Sequence, residues 1–169
     1  MSESIFKENL FEGKKVFITG GATGMGLGFA KAFLEHGADV LIASRKEENL
    51  SKAASEIKDQ TGKTLHWKMM DVRNNETVEE VAKHIKDTWG YLDVLVNNAA
   101  GNFVTPAAAM SENAWRAVID IVLDGTFRVS KACYPLLRNN KEGSSVVNII
   151  ANYAWGAAPF VAHSGAAKA

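Results

Sequence analysis

At 169 residues, with acids and bases balanced at 19 each, the chain is long enough for one domain with a sizeable core and carries no excess of either charge. That balance excludes the electrostatic footprint of a nucleic-acid binder or of a protein held on an anionic membrane. Cys133 is the single cysteine, so an intrachain disulfide is excluded and a reducing compartment suits the chain.

The N-terminal run MSESIFKENLFEGKK has acids and no long apolar stretch, so it reads as neither a secretory signal nor an Arg-rich transit peptide. No stretch approaches the roughly 18 apolar residues of a membrane span, and a cytoplasmic location is expected. Short runs rich in Val, Ile and Leu then alternate with longer runs of helical spacing. KVFIT (15–19), DVLIAS (39–44), LHWKMM (65–70), DVLVNN (93–98) and SSVVNII (144–150) predict strands. Gly24–His36, Glu47–Thr61, Glu76–Trp89 and Ser111–Asn140 predict helices, with Asn75 and Ser111 as N-caps and Gly37 and Gly62 as stops. Strand–helix alternation of this kind predicts right-handed βαβ units and an α/β fold: a doubly wound, Rossmann-like parallel sheet in one domain spanning 1–169. A doubly wound sheet usually continues past a fifth strand, so a C-terminal part is expected to be absent.

Between the first strand and first helix, TGGATGMG (19–26) places Gly20, Gly24 and Gly26 in a βα turn. Glycines there let backbone approach a pyrophosphate whose charge meets the N–H groups of the helix start. The strand before and the helix after favour nucleotide binding over an ordinary turn. Gly20, Gly21, Ala22, Thr23, Gly24, Met25 and Gly26 are the candidate residues. At the end of the second strand, ASRKEENL offers Ser44, Arg45 and Lys46 where NAD sites commonly carry an acid. A guanidinium fork matches a 2′-phosphate, which favours NADPH.

Together, TGGATGMG, the DV pair (71–72), NNAAG (97–101) and the closing Lys168 resemble the short-chain dehydrogenase/reductase family from about Phe11 onward. The resemblance implies that the glycine turn holds the pyrophosphate, that Asp71 meets the adenine, and that Asn98 in the NNAAG element borders the nicotinamide side. The family's catalytic pattern is altered here. Its tyrosine position, four residues before the lysine, holds Ser164; its serine position holds Ala151 and its asparagine position Val122.

Those replacements, with NNAAGNF, DIVLDGTF and a tyrosine just after the fifth strand, resemble the 2,4-dienoyl-CoA reductases of the superfamily. Read alone, Tyr153 is a loop tyrosine at a sheet end and Asn102 a turn residue. The resemblance implies that both contact the substrate thioester, that Lys168 binds the cofactor ribose, and that Arg73, Phe103 and Ser111 border an acyl-CoA. It implies an NADPH-dependent reductase of 2,4-dienoyl-CoA to 3-enoyl-CoA in β-oxidation of unsaturated fatty acids, assembled as a homo-oligomer, usually a tetramer. The alternatives are a non-catalytic nucleotide-binding module and another acyl-thioester or carbonyl reductase of the family. His36, His66, His84 and His163 show no metal spacing, so no metal is expected. Ser164 reads as a helix-face serine near Lys168, Cys133 as a buried small hydrophobe, and Trp89, Trp115 and Phe127 as core or interface residues.

Overall fold

The computed structural model describes residues 6–156 and 158–169. Five parallel strands, β1 (Lys15–Thr19), β2 (Asp39–Ser44), β3 (His66–Met69), β4 (Val94–Asn97) and β5 (Ser145–Asn148), form one sheet in the order β3-β2-β1-β4-β5. Helices α1 (Gly24–Glu35), α2 (Glu47–Thr61), α3 (Asn75–Trp89), α4 (Glu112–Ile119), α5 (Gly125–Arg138) and α6 (Ala162–Lys168) connect or follow them.

Register explains the two-sided core. Val16 pairs with Val40, Phe17 with Leu41 and Ile18 with Ile42, and successive side chains leave opposite faces of the sheet. Phe17, Leu41 and Leu95 therefore meet Val81 and Ile85 of α3 and Val129 and Leu136 of α5. Val16, Ile18, Val40 and Ile42 meet Ala30 and Leu34 of α1 and Leu50 and Ile57 of α2. Each fully buried Leu, Ile or Phe contributes about 1.5–3 kcal/mol. Helices on both faces are what make the strands continuous apolar runs. The exceptions are the two edge strands: β3 is largely exposed, and β5, hydrogen-bonded to β4, is exposed along its length.

The chain winds from β1 outward to β3, then returns to place β4 on the other side of β1. The reversal opens a crevice at the carboxyl ends of β1 and β4, where open α/β sheets bind ligands. At the opposite end, the buried Asp93 carboxylate accepts from Lys15 N–H (2.7 Å), Asn140 Nδ2 (2.9 Å) and Lys14 Nζ (3.1 Å) and ties the sheet's base together.

Two details differ from the sequence reading. Asn74, one residue before the expected cap, caps α3 by accepting from Glu76 N–H (2.9 Å) and Thr77 N–H (3.4 Å). The expected long helix is interrupted by a π-turn at Asp120–Asp124. That wide turn lets Val122 pack with Val118 and Ala167 of α6, while Arg128 pairs with Asp120 across it (2.7 Å). Of the three aromatics expected in the core or an interface, Trp89 packs partly on the core, while Phe127 at 65% exposed and Trp115 at 40% lie outside it, which leaves the interface alternative for those two.

Cys133 is buried against α3 and the sheet, and burial pushes its thiol up to about 12. The thiolate is the nucleophile, so Cys133 is expected to resist iodoacetamide at pH 8 in the native protein and to alkylate once denatured. Mass spectrometry of the labelled peptide, with and without denaturant, checks this.

Candidate active site

The crevice at the switch point is a cleft of about 380 Å³ lined by the glycine turn, the end of β2, the Asp71 loop and the segment after β4. Its floor is held by backbone and two polar side chains. Gly20 has φ +64 and donates its N–H to the Ala43 carbonyl (2.8 Å). Asn98 Nδ2 donates to the Thr19 and Gly20 carbonyls (both 3.0 Å), and Thr19 Oγ1 accepts from the N–H groups of Asn98 (3.1 Å) and Ala99 (3.0 Å). The Asn98 amide is thus engaged in bracing the turn. A Cβ on Gly26 would meet the Gly20 carbonyl oxygen and stand 2.6 Å from Asn98 Nδ2, so only glycine fits this crossing of helix and turn. Gly21 meets Ile42 of β2 in the same way, and Ala22 is buried behind it.

Thr23 opens α1 in extended conformation without a side-chain cap, and the first turn of α1 holds no acid. Ser111, by contrast, caps α4 by accepting from Ala114 N–H (3.2 Å). An uncapped helix start of this kind leaves N–H donors and the positive end of the dipole for an anion. Gly24 at φ +55 has open space where a Cβ would point, and Met25 is exposed beside it.

On the cleft's other wall Ser44 is half-buried, and Arg45 and Lys46 are exposed. Asp71 accepts a forked pair from Arg73, Nε to Oδ1 at 3.0 Å and Nη2 to Oδ2 at 2.6 Å. The hydrogen bonds from Arg73, aided by its charge and that of Arg45, hold the Asp71 carboxyl below the usual carboxylate range. The guanidinium of Arg73 therefore lies against Asp71 at the cleft rather than reaching out alone.

A second group of candidate residues stands on the turns after β4 and β5. A single 3₁₀ turn, Asn152–Ala154, carries Tyr153 just beyond β5. Ser164, buried on α6, donates from Oγ to the Tyr153 hydroxyl at 3.5 Å. Lys168, one helical turn further, donates from Nζ to the Ile149 carbonyl, and burial pulls its ammonium below the ordinary lysine value. Asn102 and Phe103 are exposed on the segment after β4, and Phe103 stands edge-on to His163 with ring centroids 4.6 Å apart. The fold thus gathers Tyr153, Ser164, Lys168 and Phe103. Ser111 borders a separate depression of about 450 Å³ with Trp115 and Arg116.

Two site residues escaped the sequence reading. Thr19 looked like the last residue of a strand, and its role as a double acceptor depends on β4 lying alongside. His163 shows no metal spacing in the sequence, and nothing local to it signals that the fold buries it completely. Among the described residues no group of three or more potential ligands could hold a metal ion, and no helix is long and apolar enough to cross a membrane.

The profile of the short chain dehydrogenase family matches residues 14–169, and the chain belongs to that family. It is 42% identical over 158 residues to a Bacillus subtilis protein named "Probable 2,4-dienoyl-CoA reductase", of the (2E)-enoyl-CoA-producing type, covering 94% of this chain and 62% of that one. It is 39% identical over 165 residues to a Danio rerio peroxisomal 2,4-dienoyl-CoA reductase of the (3E)-enoyl-CoA-producing type, covering 98% and 55%. A crystal structure of a short chain dehydrogenase from Bacillus anthracis superposes with a TM-score of 0.83 at 44% identity, over 92% of this chain and 64% of that one. The chain thus spans little more than half the length of the two named relatives.

Proposed function

We propose that the protein is an NADPH-dependent reductase converting 2,4-dienoyl-CoA to 3-enoyl-CoA in the oxidation of unsaturated acyl chains. One observation carries the reading: the position four residues before Lys168 holds a buried serine, and the phenol beside it is supplied instead by Tyr153 from the turn after β5. The names of the two relatives support it.

The site fits a dinucleotide. The crossing at Gly26 and the uncapped start of α1 suit a pyrophosphate, and Arg45 with Ser44 suits a 2′-phosphate. When bound, the nicotinamide would supply a hydride to the δ-carbon of the conjugated thioester. Negative charge then develops along the diene onto the thioester oxygen. Tyr153 O–H and the Asn102 amide are donors of the right kind for that oxygen, and they lower the barrier without giving up a proton. A ketone substrate would instead need an acid able to protonate an alkoxide, which a serine at 164 supplies poorly. The proton of the dienoyl reaction goes to carbon and can come from water. Delivery at the α-carbon yields 3-enoyl-CoA and at the γ-carbon 2-enoyl-CoA, the two product types that the relatives' names distinguish. Exposed Leu123, Phe127 and Tyr134 along α5 and the turn before it support assembly with further copies of the chain.

Incubation of the full-length protein with NADPH and a 2,4-dienoyl-CoA, following loss of absorbance from both and identifying the product, tests the reading. Binding of NADPH with no turnover would instead favour a nucleotide-binding module, a reading that Val122 and Ala151 at family catalytic positions keep in play. Cofactor choice has its own test. Arg45→Glu replaces a charge-assisted donor by a repelling acid, and NADPH binding is expected to weaken by about 10–100-fold while NADH binding holds or improves. Titration of both cofactors checks it, and an unchanged preference refutes the role of Arg45.

A further inference from the structure

We propose that His163 is a positioning residue of the reductase, holding the Asn102–Thr105 segment against α6 so that the acyl chain lies beside Tyr153. The inference rests on the dienoyl-CoA reading above.

His163 is completely buried, and its Nδ1 accepts the N–H of Ser164 at 2.9 Å. A ring nitrogen that accepts carries no proton, so the neutral imidazole is protonated at Nε2. That Nε2 has no hydrogen-bond partner among the described residues. Buried polar atoms in native proteins are nearly always paired, and an unpaired one calls for a reason. Packing alone does not provide it, because a phenylalanine would fill similar space with no orphaned donor.

What histidine adds over phenylalanine is the Nδ1 acceptor, and the ring's other neighbour shows what that acceptor is used for. Phe103 meets His163 edge-on, with centroids 4.6 Å apart and planes at 88°. Two residues further, Thr105 donates its N–H to the Phe160 carbonyl at 2.9 Å. Phe160 makes this link at φ +65, a left-handed conformation that a bulky side chain rarely adopts. The segment 103–105 therefore has two independent ties to the run that enters α6, one aromatic and one strained at its acceptor. The same helix carries Ser164, whose hydroxyl bonds Tyr153 at 3.5 Å. The Nδ1 anchor fixes the imidazole on α6, and the imidazole fixes Phe103, so the acyl-side wall is set relative to the phenol.

Two variants of the full-length protein separate the two functions of the ring. His163→Asn keeps an acceptor for the Ser164 N–H and removes the ring from Phe103; His163→Phe keeps a ring and removes the acceptor. His163→Asn is expected to lower kcat/KM for a 2,4-dienoyl-CoA by on the order of 10–100-fold, the scale of a small misplacement of reacting groups. KM for NADPH should stay unchanged, which general damage to the fold would not allow. Phe103→Leu should do the same, and the double variant should be no worse than either single one, because the two rings act as a unit. His163→Phe should fall between wild type and His163→Asn.

Wild-type kcat/KM in His163→Asn, or additive losses in the double variant, would overturn the proposal. If the variants do not fold, ¹⁵N-histidine NMR of the wild type decides: an unprotonated Nδ1 and protonated Nε2 at His163 are required, and a protonated Nδ1 overturns the anchor. If the wild type reduces no dienoyl-CoA, the proposed function fails, whereas the NMR signature and the same double cycle read on unfolding free energy still judge the clasp.

Discussion

Tyr153→Phe is expected to lower kcat on a 2,4-dienoyl-CoA by about 10²–10³, the scale of losing one donor to a developing oxyanion. The ring stays in place, since its turn, Asn152–Ala154, is held by backbone bonds such as Ala154 N–H to the Ala151 carbonyl at 2.9 Å. Only the O–H is lost. Ser164→Ala removes a hydroxyl that bonds Tyr153 at the long distance of 3.5 Å, and it should cost much less. A serine oxygen on the buried face of α6 is also short and weakly acidic beside a phenol. Steady-state kinetics on the full-length enzyme check the pair. Near-wild-type turnover in Tyr153→Phe, with collapse in Ser164→Ala, would make the serine the catalytic hydroxyl and reverse the assignment.

Gly26→Ala should be the most damaging small substitution in the cofactor half. The added methyl meets the Gly20 carbonyl oxygen and stands 2.6 Å from Asn98 Nδ2, and the turn and helix must part to admit it. Overpacking of this kind destabilises by about 1–3 kcal/mol. Parting the turn from α1 also moves the N–H groups that would face a pyrophosphate, so NADPH binding should weaken by more than about tenfold, a loss of 1.4 kcal/mol or more. Gly28, two residues on, is the control. It is exposed on α1 with open space around its Cβ position, and Gly28→Ala should stabilise the fold by about 0.5–1 kcal/mol. Thermal unfolding and fluorescence titration with NADPH of both variants test the contrast. Equal behaviour of the two would mean that the close crossing is not what Gly26 provides.

Much of this architecture is legible in the linear chain because its signals are local. β1 and β2 occupy 15–19 and 39–44, and α2 runs Glu47–Thr61, as apolar periodicity and a following Gly62 at φ +70 require. The chain's reading lost precision where a feature depends on one residue of phase. The π-turn at Asp120–Asp124 shifts the helical register without breaking the apolar pattern, so the run around it reads as a single helix. The cap of α3 fell on Asn74 rather than its identical neighbour because backbone geometry, not residue type, chooses between two adjacent asparagines.

The site divides along the same line. The glycine turn and Ser44-Arg45 lie at strand ends within single βαβ units, so local sequence alone singles them out as candidates. By itself the sequence determined the fold class, the glycine-rich turn between β1 and α1 and the serine at position 164. Only the tertiary structure showed that Asn98 braces the turn, that Arg73 forks onto Asp71, and that Ser164 bonds Tyr153. It alone showed His163 buried against Phe103, sixty residues away in the chain. The physical reason is that the Asn98, Ser164 and His163 roles are contacts between segments that meet only in the folded chain, the first because the sheet sets β4 beside β1, while the Arg73 fork depends on the conformation of the turn between β3 and α3. No periodicity or spacing encodes them, because each partner has an ordinary place in its own segment.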